Sequence, residues 1–282
     1  MDLVEVLTSQ IIVADGAMGT LLRSRGVSRE VCLEELCASQ PDLVTQVHAD
    51  YVAAGVKLVR TNSFGGSAVR LAKWGLERRV GELNWLASRI AREATKGTGV
   101  MVAASVGPLG LPEPGERRER IHAIFEEQVG ALLDGGAQCV IFETFTNLDE
   151  LAIALEVKQS LHHCAAVANI VCDRQGRVGE LTLQQAWSRL RDAGADLVGV
   201  NCVGTPTETL AALGDLTMED GVIFPSAGLP AADGRYALSP EEFAEGTEAF
   251  LERGARLIGG CCGTTPEHLA ALTARLFPTP AV

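Results

Sequence analysis

The stretch RGARLIGGCC, residues 253–262, contains the pattern from which the fold of this chain can be predicted. A glycine stands where a helical pattern ends, and a short, mainly apolar run follows it. Glycine favours the left-handed conformation that closes many helices, and a short apolar run with turn residues at its end is typical of a buried strand. The stretch therefore indicates a helix followed by a strand, with Cys261 and Cys262 at the carboxyl end of the strand.

The same pattern occurs three more times along the chain. The other copies are AGVKLVRTN at 54–62, GGAQCVIFE at 135–143 and AGADLVGVN at 193–201. Four further apolar runs lie between them, at 11–14, 100–104, 165–171 and 222–224. Helical patterns separate these eight runs, and a strand that alternates with a helix is the unit of a parallel sheet.

Eight such units in 282 residues predict a single (β/α)8 TIM barrel that spans residues 1–282 as one domain. We favour the barrel over a doubly wound open sheet because a closed sheet leaves no edge strand. Helix starts are marked where Ser or Thr precedes proline, at Thr205, Ser239 and Thr265. Two long polar loops, 110–120 and 226–237, follow strands and are expected on the catalytic face.

The composition restricts the partners and the compartment. A net charge of −12 argues against nucleic acid and against an anionic membrane surface. No apolar run approaches the roughly 20 residues that span a bilayer, and the first residues do not resemble a signal peptide. We therefore expect a cytoplasmic protein. Its eight cysteines are then expected to be reduced, with Cys139, Cys32 and Cys37 as packing residues.

Polar or sulfur-bearing residues stand at the carboxyl ends of all eight predicted strands. They are Asp15, Asn62, Ser105, Glu143, Asp173, Asn201 with Cys202, Ser226, and Cys261 with Cys262. In a (β/α)8 barrel these positions converge on one mouth, where catalytic residues lie. For Ser105 or Asp173 alone, the simpler interpretation stays open that a polar residue marks the point where a strand meets solvent.

Three of these residues are thiols, which suggests a metal site. Cys261 and Cys262 are adjacent, and a disulfide between neighbouring residues has unfavourable geometry. On a glycine-flanked turn, however, both thiols can face one metal ion, together with Cys202 at another strand end. Three protein ligands with an open fourth position are typical of catalytic zinc. The sequence therefore predicts Zn²⁺ bound by Cys202, Cys261 and Cys262 at the carboxyl ends of the strands.

The ligand set indicates the kind of chemistry. Three thiolates give the zinc site a formal charge of −1, which makes it a poor generator of hydroxide. It is better suited to holding a further thiol as thiolate, because a free thiol with a pKa of about 8.5 is mostly protonated at neutral pH. Such a sulfur is a nucleophile, and methyl transfer to it requires no general base.

A thiol substrate that is also an amino acid needs an anion for its ammonium group and donors for its carboxylate. Glu143 and Asp15 can each supply the anion. The turn DGAMGT at 15–20 can offer backbone N–H groups to the carboxylate, because its glycines permit close approach.

Six motifs together resemble the homocysteine S-methyltransferase family. They are DGAMGT at 15–20, TNSFG at 61–65, SVGP at 105–108, ETF at 143–145, NC at 201–202 and GGCCGTTPEH at 259–268. The family includes the homocysteine-binding module of cobalamin-dependent methionine synthase, betaine–homocysteine methyltransferase and S-methylmethionine-dependent enzymes. The resemblance covers essentially the whole chain, and the first two motifs are closer to the methionine synthase module.

The resemblance implies a zinc-dependent methyltransferase in which zinc-bound homocysteine thiolate attacks the methyl group of a donor to give methionine. It implies zinc on the three cysteines and Glu143 on the substrate amino group. Asp15, the backbone of Ala17 and Met18, and Asn201 are expected nearby. Ser226 stands where the methionine synthase module usually has asparagine, so the group that fills the fourth zinc position without substrate is left open.

The donor side carries no comparable motif. The sequence has neither a corrinoid-binding histidine motif nor a glycine-rich fingerprint for S-adenosylmethionine. We expect a small-molecule methyl donor, or a separate corrinoid or methyl-carrier protein. Alternatives are a different thiol or selenol acceptor, demethylation of a catabolic donor, or a non-catalytic zinc-binding subunit that docks a methyl-carrier protein.

Overall fold

An eight-stranded parallel sheet forms the centre of the computed structural model, which describes residues 3–110, 117–231 and 234–278. The strands are β1 (Ile12–Val13), β2 (Leu58–Arg60), β3 (Met101–Val106), β4 (Cys139–Phe145), β5 (Ala166–Ile170), β6 (Arg177–Val178), β7 (Leu181–Thr182), β8 (Leu197–Asn201), β9 (Gly221–Phe224) and β10 (Ala255–Ile258). The order in the sheet is β1-β10-β9-β8-β5-β4-β3-β2, while β6 and β7 form a separate antiparallel hairpin after β5.

The two outer strands of that order also meet. Ala14, just after β1, makes a parallel bridge with Leu58 of β2, and the N–H of Asp15 donates to the carbonyl of Leu58 at 2.9 Å. The sheet is thereby closed into a barrel, as the repeat predicted.

Helices connect successive strands. They are α1 (Leu3–Leu7), α2 (Gly19–Ser24), α3 (Leu36–Ser39), α4 (Pro41–Ala53), α5 (Ala68–Leu71), α6 (Val80–Ala94), α7 (Arg118–Asp134), α8 (Leu148–Leu161), α9 (Leu183–Asp192), α10 (Pro206–Leu213), α11 (Pro240–Glu248) and α12 (Pro266–Leu276). Short 3-10 turns cover Ala72–Trp74 and Glu77–Arg79. Of the two long loops expected on the catalytic face, residues 111–116 and 232–233 lie outside the described residues.

Helix starts follow the sequence signals. Capping boxes close the first turns of α10 and α11 at Thr205 and Ser239, each with proline at the first helical position. Thr265 is the N-cap of α12, with His268 as its reciprocal partner. None of the helices in the described ranges has the length and the apolar character needed to cross a lipid bilayer.

The strands alternate between two hydrophobic surfaces, as the two-residue period of a strand requires. One set of aliphatic side chains packs against the surrounding helices, and the other fills the barrel interior. Leu3 and Leu7 of α1 pack in the interior cluster with Met101 and Cys139, the first residues of β3 and β4. This contact places α1 at the amino end of the barrel and leaves the opposite end for the site.

Towards the carboxyl ends of the strands, the inward positions change from aliphatic to polar. The change is from Leu58 to Arg60 in β2, from Ala103 to Ser105 in β3, from Ile141 to Glu143 in β4 and from Val167 to Asn169 in β5. All four polar residues are buried. The barrel interior is therefore apolar towards the amino ends of the strands and polar close to their carboxyl ends.

Candidate metal centre and substrate cavity

Cys202 occupies a strained position at the end of β8. Its φ of 58° lies in the left-handed region, which is uncommon for residues other than glycine. The backbone N–H of Cys202 donates to the carbonyl of Phe224 in β9 at 3.1 Å, so the neighbouring strand helps to hold this conformation. Strain of this kind costs on the order of 1–3 kcal/mol and is frequent at functional sites.

Cys261 and Cys262 lie in a tight turn after β10. The N–H of Cys261 donates to the carbonyl of Pro225 at 2.7 Å, and its carbonyl accepts from the N–H and hydroxyl of Thr264. Gly263 has a φ of 81°, and a Cβ atom there would lie 2.1 Å from the ring of Tyr236. Only glycine fits this position without displacing the tyrosine, and the turn that results brings both thiols towards Cys202.

The three sulfur atoms form a compact group. Within the described part of the chain, Cys202, Cys261 and Cys262 are the only set of three or more metal-binding side chains whose ligand atoms converge, and all their Sγ atoms lie within 4.8 Å of one another. The Sγ atoms of Cys202 and Cys262 are 3.6 Å apart. Zn–S bonds of about 2.3 Å in a tetrahedron separate sulfur atoms by about 3.8 Å. The spacing therefore fits one zinc ion with three thiolate ligands.

The thiols also affect each other's ionisation. Hydrogen bonds offered by Cys261 and Cys262 lower the pKa of Cys202. The bonds to Cys202 and Cys262, together with burial, raise the pKa of Cys261 well above its usual value. The group thus favours one thiolate shared by two thiols. None of the eight cysteines, all of which lie in the described ranges, forms a disulfide, and the packing role predicted for Cys139 agrees with its burial in the barrel interior.

Asn201 lies next to the thiol group. Its side chain is fully buried, accepts from the N–H of Thr144 at 2.8 Å and donates to the hydroxyl of Thr144 at 2.8 Å. The same amide nitrogen reaches the Sγ of Cys261 at 3.7 Å. The hydroxyl of Ser226 lies 3.8 Å from the Sγ of Cys202. The amide of Asn201 is engaged with Thr144 and Cys261, so its direct contact with substrate stays a prediction.

A buried ion-pair cluster lies beside the thiols and is centred on Arg60, which is not among the residues predicted from the sequence. Its Nε donates to Asp15 at 2.7 Å and its Nη1 to Glu143 at 2.7 Å. Glu143 also accepts a 2.5 Å hydrogen bond from the hydroxyl of Ser105. Burial alone would lower the pKa of Arg60, but Glu143 and Asp15 outweigh it and raise that pKa.

Asp15 is the more deeply placed of the two carboxylates. It is 1% exposed, and both of its carboxylate oxygens accept from Arg60, through the guanidinium and through the backbone N–H. Burial raises the pKa of Asp15 to about 6, although the neighbouring guanidinium opposes this rise. Glu143, at 6% exposed, is the carboxylate closer to the cavity surface.

One cavity of about 400 Å³ joins the two groups. Its wall includes Asp15, Arg60 and Glu143 as well as the three cysteines. The volume is within the roughly 300–1,000 Å³ that is typical of small-molecule sites. The structure therefore brings the predicted metal ligands and the predicted amine-binding carboxylates to the same space.

The turn at 15–20 lines this cavity as well, through Ala17 and Met18. The N–H of Ala17 already donates to the hydroxyl of Thr264 at 3.1 Å, and its carbonyl accepts from the hydroxyl of Tyr51 at 2.9 Å. Of the two predicted backbone contacts, Met18 is the better placed to offer an N–H group to a ligand. Both contacts stay predictions.

Two of the residues predicted at strand ends have other roles. Asp173 is exposed, and its carboxylate accepts from the N–H groups of Gln175 and Arg177, which makes it a turn residue. Asn62 lines the cavity, but its amide donates to the carbonyl of Leu33 at 2.7 Å and to Cys37. The buried contacts of Cys37 agree with its predicted packing role.

Comparison with known proteins identifies the family. The family model described as homocysteine S-methyltransferase matches residues 12–276. The chain belongs to the homocysteine S-methyltransferase family. It is 32% identical to the methionine synthase of Mycobacterium leprae and 31% identical to that of Mycobacterium tuberculosis, each over 97% of this chain. The chain spans about a quarter of the length of these two relatives.

Among solved structures, the homocysteine methyltransferase MmuM from Escherichia coli is similar over nearly its whole length. Its metallated form superposes with a TM-score of 0.80 at 28% sequence identity, covering 96% of this chain and 98% of that chain. The likeness therefore extends over the entire barrel that presents the thiols and the ion-pair cluster.

Proposed function

We propose that this chain is a zinc-dependent homocysteine S-methyltransferase, which transfers a methyl group from a donor to the sulfur of homocysteine and forms methionine. The observation that carries the proposal is the position of three converging thiols and Glu143 on the wall of one cavity. A thiol amino acid needs both features, a site for its sulfur and an anion for its ammonium group. Membership of the family supports the same activity.

The metal would be held by Cys202, Cys261 and Cys262, whose thiolate donors and spacing suit Zn²⁺. Zinc bound there would lower the pKa of a further thiol, so that the acceptor sulfur is a thiolate near neutral pH.

The chain's own residues orient the substrate. Glu143 accepts from the ammonium group, and Arg60 and Ser105 fix its two oxygens in place. The N–H of Met18 donates to the substrate carboxylate. With both ends of the amino acid held, the sulfur is directed to the thiol side of the cavity, so positioning supplies much of the rate.

We also propose that residues 1–282 form one barrel domain, since the family model matches residues 12–276. The methyl donor is a small molecule or a separate corrinoid or methyl-carrier protein. The features of the cavity described above serve the acceptor.

The test is methyl transfer by the zinc-loaded protein, with methionine measured by mass spectrometry. Homocysteine is offered with S-methylmethionine, S-adenosylmethionine, betaine, methylfolate and methylcobalamin in turn. We expect methionine from at least one donor, and none with Cys202→Ser protein. Equal rates after complete removal of zinc would contradict the mechanism. Tight homocysteine binding without turnover from any donor would favour a docking subunit, and methylation of another thiol instead would correct the acceptor.

A further inference from the structure

Arg60 connects parts of the site that are distant in sequence. Its Nη2 donates to the carbonyl of Gly16 at 2.8 Å and to the carbonyl of Gly260 at 2.7 Å, while Nη1 holds Glu143. Gly260 immediately precedes the cysteine pair, and its N–H donates to the carbonyl of Asp15 at 3.0 Å. One guanidinium thus joins the amine-binding carboxylate to the turn that presents the thiols.

The geometry of this connection is rigid. All three guanidinium nitrogens donate hydrogen bonds, and the side chain is buried. The guanidinium carbon lies 4.6 Å from the centre of the Phe224 ring, which supports its flat face. A planar group with fixed donor directions holds several acceptors at set distances, which a flexible lysine ammonium does not do.

The charges of the cluster point the same way. Asp15, Glu143 and Arg60 together carry a formal charge of −1, which one substrate ammonium can balance. Without Arg60 the two carboxylates would repel each other in a buried place and Glu143 would lose its fixed direction. Arg60 therefore determines both where the ammonium binds and how far that point lies from the thiols.

We propose that Arg60 is a positioning residue that sets the length of the thiol amino acid accepted by the site, by fixing Glu143 relative to the Cys261–Cys262 turn. Homocysteine differs from cysteine by one methylene between the ammonium-bearing carbon and the sulfur. A fixed distance between Glu143 and the metal ligands discriminates between the two. This inference rests on the proposed function, since it concerns how homocysteine is selected.

The test compares dissociation constants for three thiols, measured by calorimetry on zinc-loaded protein. They are homocysteine, cysteine, and 4-mercaptobutanoate, which is homocysteine without the amino group. The unaltered protein is expected to prefer homocysteine to cysteine by about tenfold or more, as one methylene commonly allows. In Arg60→Met protein we expect this ratio to fall to about one, with an intermediate ratio in Arg60→Lys protein.

The controls separate selectivity from general damage. Arg79→Met removes an arginine that also pairs with a carboxylate, Glu82, but on the surface, and it should leave the ratio unchanged. Zinc content is measured for each protein and should stay at about one per chain. If Arg60→Met protein does not fold, Phe224→Leu keeps the arginine but removes its ring support, and we expect about a threefold fall in the ratio.

An unchanged ratio in the folded, zinc-bound Arg60 or Phe224 variants would overturn the inference. Equal weakening of all three thiols would also overturn it, because that result indicates a merely structural role. If the unaltered zinc-loaded protein binds no homocysteine, the proposed function itself fails, and the two failures are thereby distinguished.

Discussion

The two sides of the cavity differ in how far the protein satisfies its own polar groups. On the thiol side, Cys202, Cys261 and Cys262 are partly exposed, and their sulfur atoms make long contacts of 3.6–3.8 Å with other described residues. Sulfur is a weak hydrogen-bond partner, so these contacts leave its capacity as a ligand largely unused. On the carboxylate side, Arg60 and Asp15 are buried and joined by short charge-assisted bonds.

This difference indicates two ways of preparing a site. The carboxylate side is fixed by protein contacts alone and is preformed in the folded chain. The thiol side carries strained or glycine-dependent backbone at Cys202 and Gly263, and in the proposed function a metal completes it. Substitutions on the thiol side should therefore affect metal binding, and substitutions on the carboxylate side should affect substrate binding.

The largest effect is expected from removal of a thiol. Cys261→Ala should reduce bound zinc from about one per chain to less than about one tenth, because two ligands hold the ion far less tightly than three. Methyl transfer should fall to background with it. Metal analysis after dialysis and the methionine assay check this outcome.

The matched control is Cys172→Ala, which removes a buried cysteine that follows the carboxyl end of β5 and lies outside the thiol group. It should keep both zinc and activity. Retention of zinc by Cys261→Ala protein would contradict this prediction, because zinc binding would then not depend on all three thiols.

Arg60 is a buried ionisable side chain with paired charge, whereas His48 is a buried ionisable side chain without a hydrogen-bond partner among the described residues. His48 is fully buried in α4, neither ring nitrogen has a hydrogen-bond partner among the described residues, and burial lowers its pKa to about 4. Between pH 6.5 and about 4 the unfolded chain therefore binds a proton that the folded chain does not. Stability should fall as the pH falls through this window, by up to about 3 kcal/mol.

Urea unfolding of metal-free protein at pH 7.5 and pH 4.5 tests this dependence. His48→Leu should lose less stability than the unaltered protein between the two values. Replacement of the exposed His163 by leucine should leave the loss unchanged. An equal loss of stability in His48→Leu protein would contradict this prediction, because the fall with pH would then not come from the buried His48.

On the carboxylate side, Glu143→Gln should weaken homocysteine binding about 10- to 100-fold, because a charged hydrogen bond contributes about 1.5–3 kcal/mol. Binding of 4-mercaptobutanoate, which has no ammonium group, should change little, and zinc should be retained. The control is Glu150→Gln, another buried glutamate whose carboxylate accepts from the N–H of Leu109. If Glu143→Gln weakened the binding of homocysteine and of 4-mercaptobutanoate equally, the proposed role of Glu143 in binding the ammonium group would be contradicted.

The smallest effect concerns the turn that carries two of the thiols. Gly263→Ala should lower stability by about 1–2 kcal/mol through its positive φ alone. Its collision with Tyr236 should in addition lower zinc affinity about tenfold. Gly99→Ala has a similar φ of 75° and nothing within 4 Å, so it should lose stability without losing zinc affinity. Equal zinc affinity in the two variants would show that the turn is not tuned for the metal.

The sequence predicted the thiol side of the site and the barrel that carries it. The repeated glycine-strand pattern locates the strands, and cysteine at two strand ends has few explanations other than a metal. Asp173 was also predicted at the mouth of the barrel, but it forms a turn of its own. A polar residue after a strand is compatible with both outcomes, so its type alone does not decide.

Arg60 was missed because the prediction considered only the residues where strands stop. Arg60 is the last residue of β2, but the pattern at 54–62 predicts a strand that stops at Asn62, so Arg60 falls inside the predicted strand. The available signal was its spacing from Leu58, since residues two apart in a strand share a face. A charged side chain on the inward face of a barrel strand requires a buried counter-charge, and that requirement could have linked it to Asp15 and Glu143.

The most direct test of the account is zinc K-edge X-ray absorption on the zinc-loaded protein, with and without homocysteine. The account predicts three sulfur neighbours at about 2.3 Å without homocysteine and four with it. A spectrum that stays unchanged at saturating homocysteine, or one that contains fewer than three sulfur neighbours at the start, would contradict it.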